Sequence, residues 1–289
     1  MELWTVLVPL GKIVAYILSL LMVGTGLFIL HFQSMLSQST FTYCQKLIFQ
    51  SSLAGLIVAP LLFLLVAGNI GGDMASSIDP LMISITFSSK AGQSVFMLFL
   101  GFLLVCFWSY FLPKQIWTVA LAGFSLILIS FSIYGHSTIN GYSTQILIVL
   151  HLLAISYWVG SFLPLRYSTY RDIEDEKLFQ IAHKFGIYAV YYIVVLVIAG
   201  VSLGTVLVGN LNGLLYTNYG QVFLFKLLLV IILLGIGAMN KFVLVPNLQS
   251  DAKANAVKLR KSIGREIIIL AFILVISSIV STTIEPPYK

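Results

Sequence analysis

The chain has 289 residues, of which 59% are hydrophobic and 9% charged, a net charge of +6 and a mean hydropathy of +1.02. So little polar surface cannot cover a water-soluble globule, so the composition is that of an integral membrane protein. The positive balance gathers in a few short loops, which argues for orientation in a membrane and against nucleic-acid binding, and the continuous apolar runs lack the alternation of an outer-membrane barrel.

In chain order, eight apolar segments are long enough to predict membrane-crossing helices: residues 12–32, 47–69, 91–112, 116–134, 146–165, 185–208, 221–241 and 267–283. The expected fold class is all-α, a polytopic transmembrane bundle of eight helices forming one integral membrane domain over residues 1–289. The first segment follows a start that is not basic and precedes no small-residue cleavage site, so it is expected to stay as a helix. From Gln115 to Leu165 no Asp, Glu, Lys or Arg occurs, and the glycine-bounded polar stretch Gly135–Ser143 marks the fold-back inside that run.

Lys and Arg give the orientation. The connections after the first, third, fifth and seventh segments hold Lys46, Lys114, Arg166, Arg171, Lys177, Lys184, Lys241, Lys253, Lys258, Arg260, Lys261 and Arg265. The other side has Lys12, Lys90 and Lys289, and Lys226 lies within a segment. Twelve against three puts the odd-numbered connections in the cytoplasm and both termini outside.

Ionisable groups inside a bilayer are candidates for function. His136 closes one segment and His151 lies a turn and a half into the next, at similar depth near the outer face. Imidazole is the commonest metal ligand, and Met97, Met74 and Asp73 fall on the same side; thioethers beside imidazoles suit copper. Trp158, seven residues after His151, projects from the same helix face, and Lys226 either snorkels to the headgroups or pairs with Asp73. These two are expected to line the site. His31 and His183 fall near the inner face. Cys44 and Cys106 form no metal spacing and are expected to be isolated core thiols. The Gly200/Gly204 pair and Gly24 are expected to let helices approach closely. The sequence has no phosphate-binding Walker pattern, no Gly-x-Ser-x-Gly and no His-Glu-x-x-His, so no hydrolytic enzyme and no self-powered ATP pump is expected.

Several motifs carry a family resemblance. His151-Leu152-Leu153, then Trp158-Val159-Gly160 and Pro164-Leu165, preceded by Gly135-His136, resemble the signature of the copper resistance protein D (CopD) family. Tyr219-Gly220, Phe225-Lys226, Asn240-Lys241 to Pro246, and the closing Leu259-Arg260-Lys261, Arg265-Glu266 and Thr282-Thr283 are similar to that family's second half. Ser161, Lys241 and His183 depart from its usual residues. The resemblance implies a multi-pass protein of the cytoplasmic (inner) membrane that handles copper, beside a separate periplasmic copper-binding CopC-like partner.

Three readings follow. The first is copper transport or handling, with a copper ion held near the outer face by His136 and His151, together with Met97, Met74 or Asp73. The second is a transmembrane cytochrome with two b-type haems, with His136 and His151 on the outer iron and His31 and His183 on the inner one. The third is an assembly factor that loads copper into a respiratory oxidase.

Overall fold

The computed structural model describes residues 4–111, 117–135, 141–172 and 177–283. Among these the regular structure is entirely helical: α1 (Trp4–Phe32), α2 (Gln38–Gly71), α3 (Pro80–Ser88), α4 (Lys90–Phe111), α5 (Trp117–Ser130), α6 (Tyr142–Arg171), α7 (Lys177–Val208), α8 (Leu211–Tyr216), α9 (Asn218–Met239) and α10 (Ala252–Thr283). Each of the eight expected segments falls on one of these helices. Six are long and apolar enough to cross a membrane: α1, α2, α4, α6, α7, and α9 with the turns that follow it. At 14 residues, α5 reaches about 21 Å, less than the roughly 30 Å of a hydrocarbon core. α10 is apolar only in its second half; its first carries Lys253, Lys258, Arg260, Lys261, Arg265 and Glu266.

Most helices overrun their apolar segments, and at α2, α9 and α10 a side-chain cap sets the start. α2 starts nine residues before its apolar run, where the Ser37 hydroxyl accepts the Thr40 amide at 3.2 Å and satisfies one of the free N–H groups of the first turn. Two short helices were not expected. Asp79 caps α3 by accepting the Leu81 amide at 3.1 Å, with Pro80 in the first turn, and Asn210 caps α8 by accepting the Gly213 amide at 2.9 Å.

The bundle is built on α1, the most enclosed of the apolar helices; α9 is the least. α1 packs on α2 and α6, α2 on α4, α4 on α5, and α6 on α7, while α10 leans on α9, α6 and α1. At the α1–α6 crossing the backbones touch. A Cβ at Gly24 would collide with the Ser156 carbonyl, and one at Gly160 with the Gly24 backbone. The Thr25 hydroxyl donates to the Gly160 carbonyl at 3.2 Å across the same contact. Phe28, Phe32, Phe102, Trp108 and Tyr157 fill the surrounding core.

α9 does not end in an ordinary cap. It runs into a π-turn at Asn240–Leu244, closed by the Val245 amide donating to the Asn240 carbonyl at 2.9 Å, and then a short turn at Pro246–Gln249. A π-turn widens the helix by one residue per turn and commonly marks a functional position. Here it turns the Asn240 side chain into the bundle, where it is buried.

Candidate functional site

One half of the bundle, formed by α6, α7, α9 and α10, carries a column of polar groups and voids. At its upper level, toward the Gly135 and Gly209 loops, His151 projects from α6 against Gly200 of α7; a Cβ at Gly200 would lie 3.4 Å from His151 Cε1. Gly200 therefore gives the imidazole its place, beyond the general close packing expected of it. His151 Nδ1 is sealed from solvent with no partner in full hydrogen-bond geometry, while the Leu196 carbonyl approaches the ring as an acceptor and the charge of Lys226 acts on it from farther away. A buried, unsatisfied ring nitrogen is costly unless a proton donor or a metal completes it.

Lys226 thus lies within electrostatic range of His151, whereas Asp73, the partner considered from sequence, is engaged in its own turn. Asp73 is exposed, its Oδ1 accepting the Ser76 amide at 2.8 Å. That bond, helped by the Ser76 hydroxyl, holds the Asp73 carboxyl below its ordinary range. Met74, also exposed, begins the turn at Ala75–Ser77. Met97 is part-buried on α4, a helix that packs against α2, α3 and α5 and not against α6. Depth aligned these residues with His151 in the sequence, but the described geometry does not gather them around it. His136 lies outside the described residues. Among the described residues no three of His, Cys, Asp and Glu converge as a metal cluster.

His31 and His183 have different surroundings. His31 Nδ1 pairs with the Leu27 carbonyl at 2.8 Å and Nε2 with the Tyr192 hydroxyl at 3.4 Å. Its ring sits among Tyr157, Tyr188 and Tyr192, with centroids 5.5, 5.0 and 5.9 Å away. His183 is exposed and stacks on Phe179 at 5.5 Å. Cys44 is buried and Cys106 part-buried, both free.

Trp158, nearly buried on α6, stands about 10 Å below His151 along the helix. It lines two voids. Above it is an apolar space of about 30 Å³ bounded by Ile155, Leu196, Val230 and Ile273. Below it is a cavity of about 250 Å³ between α7 and α9, lined by Phe162, Phe185, Leu234, Asn240, Lys241 and Glu266 among others. Glu266 is 3% exposed, and its Oε2 accepts the Asn240 amide group at 2.9 Å. Asn240 Oδ1 is buried with no partner. Sequence reasoning passed over both residues as parts of motifs; the signal available was one carboxylate at the edge of an apolar run, facing an Asn near the end of another.

Beside the column, Arg166, Lys261 and Arg265 line an open cleft of about 550 Å³. Arg260 is fixed across α6, its Nη2 donating to the Thr169 carbonyl at 2.7 Å and its guanidinium lying 3.3 Å over the Tyr170 ring.

Two family models match this chain. Residues 1–146 match the copper resistance protein D-like N-terminal domain, and residues 179–280 match copper resistance protein D. The chain belongs to the copper resistance protein D family. Among curated proteins it is similar to the copper transport protein CutJ of Bacillus subtilis (strain 168), with 25% identity over 239 residues, 78% of this chain and 44% of that protein. It is also similar to the inner membrane protein YebZ of Escherichia coli (strain K12), 28% identical over 187 residues, 61% of this chain and 60% of that one. The CopD chain described here thus spans about half the length of these relatives. No solved structure matches it. The helices and the family together make it a multi-pass membrane protein.

Proposed function

We propose that this protein handles copper in the cytoplasmic membrane, taking the ion as cargo at a site near the outer face built on His151 and completed by His136. The observation that carries the reading is the buried Nδ1 of His151, which has no hydrogen-bond partner, on an imidazole seated against Gly200 inside the helical bundle of a CopD-family chain. Copper accepts such a donor without displacing a proton. Trp158 below the site closes the column to water, and Lys226 beside it sets the local charge. The names of the relatives, a copper transport protein and an inner membrane protein, support the cargo and the compartment.

In this reading eight helices cross the bilayer with both termini outside. α5 and the apolar second half of α10 complete the count, and the Arg- and Lys-rich ends of α6, α7 and α10 face the cytoplasm. A separate CopC-like protein delivers or receives the ion outside, and no enzymatic step is needed. Asp73 and Met74, exposed in the outer connection, suit a first contact with the arriving ion better than a place in the buried site.

The di-haem reading is weaker, because both ring nitrogens of His31 are already engaged. Purification in detergent followed by metal counting and a visible spectrum tests both. Copper retained by the wild type and lost in His151→Ala and His136→Ala supports the proposal. A Soret band with stoichiometric iron, or equal copper in all three proteins, overturns it.

A further inference from the structure

The second polar station of the column, Glu266 with Asn240, has no place in copper binding near the outer face. Glu266 lies where the charged half of α10 gives way to its apolar half, and it faces the cavity between α7 and α9. Its Oε2 receives one neutral hydrogen bond, from Asn240. Gly237 opposite leaves room for Oε1, since a Cβ there would lie 3.6 Å from it.

Charges that could compensate a carboxylate are turned elsewhere. From α6 and α7 the cavity receives Trp158, Phe162, Ala182, Phe185 and other apolar groups, with no titratable side chain. Lys241, at the end of α9, lays its stem against Gly186 and holds its ammonium 5.4 Å over the exposed Phe242 ring. On α10, Arg265 and Lys261 line the separate open cleft, where Arg166 of α6 donates to the Arg260 carbonyl at 3.2 Å. An anion so enclosed, with one amide donor, loses far more hydration than that bond returns. Asn240 has the opposite deficit: its Oδ1 is a buried acceptor without a donor.

One proton removes both deficits. A protonated carboxyl is neutral, and its O–H supplies a donor beside an amide that lacks one, so acid and amide can close a two-bond pair. We infer that Glu266 is a proton-binding site, loaded through the cavity between α7 and α9 and held as an acid–amide pair with Asn240. Binding is the simple equilibrium of carboxylate and proton with carboxylic acid; no other bond changes. The site lies on the same column as His151, with Trp158 and the small apolar void between them. The protein therefore carries a titratable station on each side of an apolar septum.

Infrared difference spectroscopy of the metal-free protein in detergent tests this, and its outcome is independent of the copper reading. The spectrum of the wild type minus Glu266→Gln should show the carbonyl stretch of a protonated carboxylic acid near neutral pH. That band should shift in D2O and give way to carboxylate bands as pH rises. Asn240→Leu should keep the band but move it to higher wavenumber, as the amide hydrogen bond is lost; this variant also serves if Glu266→Gln folds poorly. A difference spectrum showing only ionised carboxylate from neutral pH upward, or an acid band unmoved by D2O, would overturn the proposal.

Discussion

The most informative residue is His151, because the same side chain that the sequence marks as exceptional is the one left with an unmet nitrogen. Replacing it with Ala should reduce copper affinity on the order of 10-fold or more, read as copper retained after desalting. Replacing it with Met should restore part of the binding for Cu(I), which accepts thioethers, and none for zinc. Equal retention of both metals by His151→Met would point away from a soft-ion site. Asp73 gives a second prediction at this scale. Its carboxyl is held low by the Ser76 amide, so its support of the Ala75–Ser77 turn is complete above the ordinary carboxylate range and is lost only as pH falls through the lowered value. Amide exchange of Ser76 should therefore be unchanged between pH 7 and 5 once intrinsic rates are divided out, and should accelerate only in stronger acid. Asp73→Asn should accelerate it at every pH.

Among the elements, the α1–α6 contact decides how the bundle is held. Gly160→Leu should destabilise the protein by about 1–3 kcal/mol, or prevent its assembly, because an overpacked crossing must separate the two backbones. Gly235 of α9 faces open space. Gly235→Ala should therefore be neutral or raise thermal stability slightly, by up to about 1 kcal/mol through helix propensity. A comparable loss in both variants would show that the crossing has no special role. The existence and order of the long helices were legible because each is a continuous apolar run. Their ends were not, because Ser37, Asp79 and Asn210 act by capping, which a hydropathy pattern does not register. The π-turn at Asn240–Leu244 was likewise invisible: one extra residue in a helical turn leaves no mark on composition, yet it decides where Asn240 points.

At the scale of the molecule, depth and helical spacing single out His151, Trp158 and Lys226, and all three stand on the α6–α7–α9–α10 column. Met97 shares that depth but stands on α4, whose main contacts are with α2, α3 and α5; depth fixes one coordinate only, and which helices adjoin is a property of the assembled bundle. Glu266 and Asn240 were not legible as a pair because they stand 26 residues apart, one midway along α10 and the other in the π-turn after α9, and only the assembled bundle joins them. Orientation remains the clearest test of the whole arrangement. A periplasm-reporting fusion at Asn212 should be active and one at Ala254 silent; the reverse would invert the inner and outer assignments of both stations.

The seam between Gly24 and Gly160 has a mechanical corollary. With no side chain between them, α1 and α6 behave as one post, whereas α9 hangs chiefly from α10 and leaves a gap toward α7. The looser packing of the bundle therefore lies along the α7–α9 gap, where the cavity opens. A short bifunctional thiol reagent bridging Val190→Cys and Ala238→Cys, both on the wall of that gap, should then tie α7 to α9 and raise thermal stability while leaving copper retention at His151 intact.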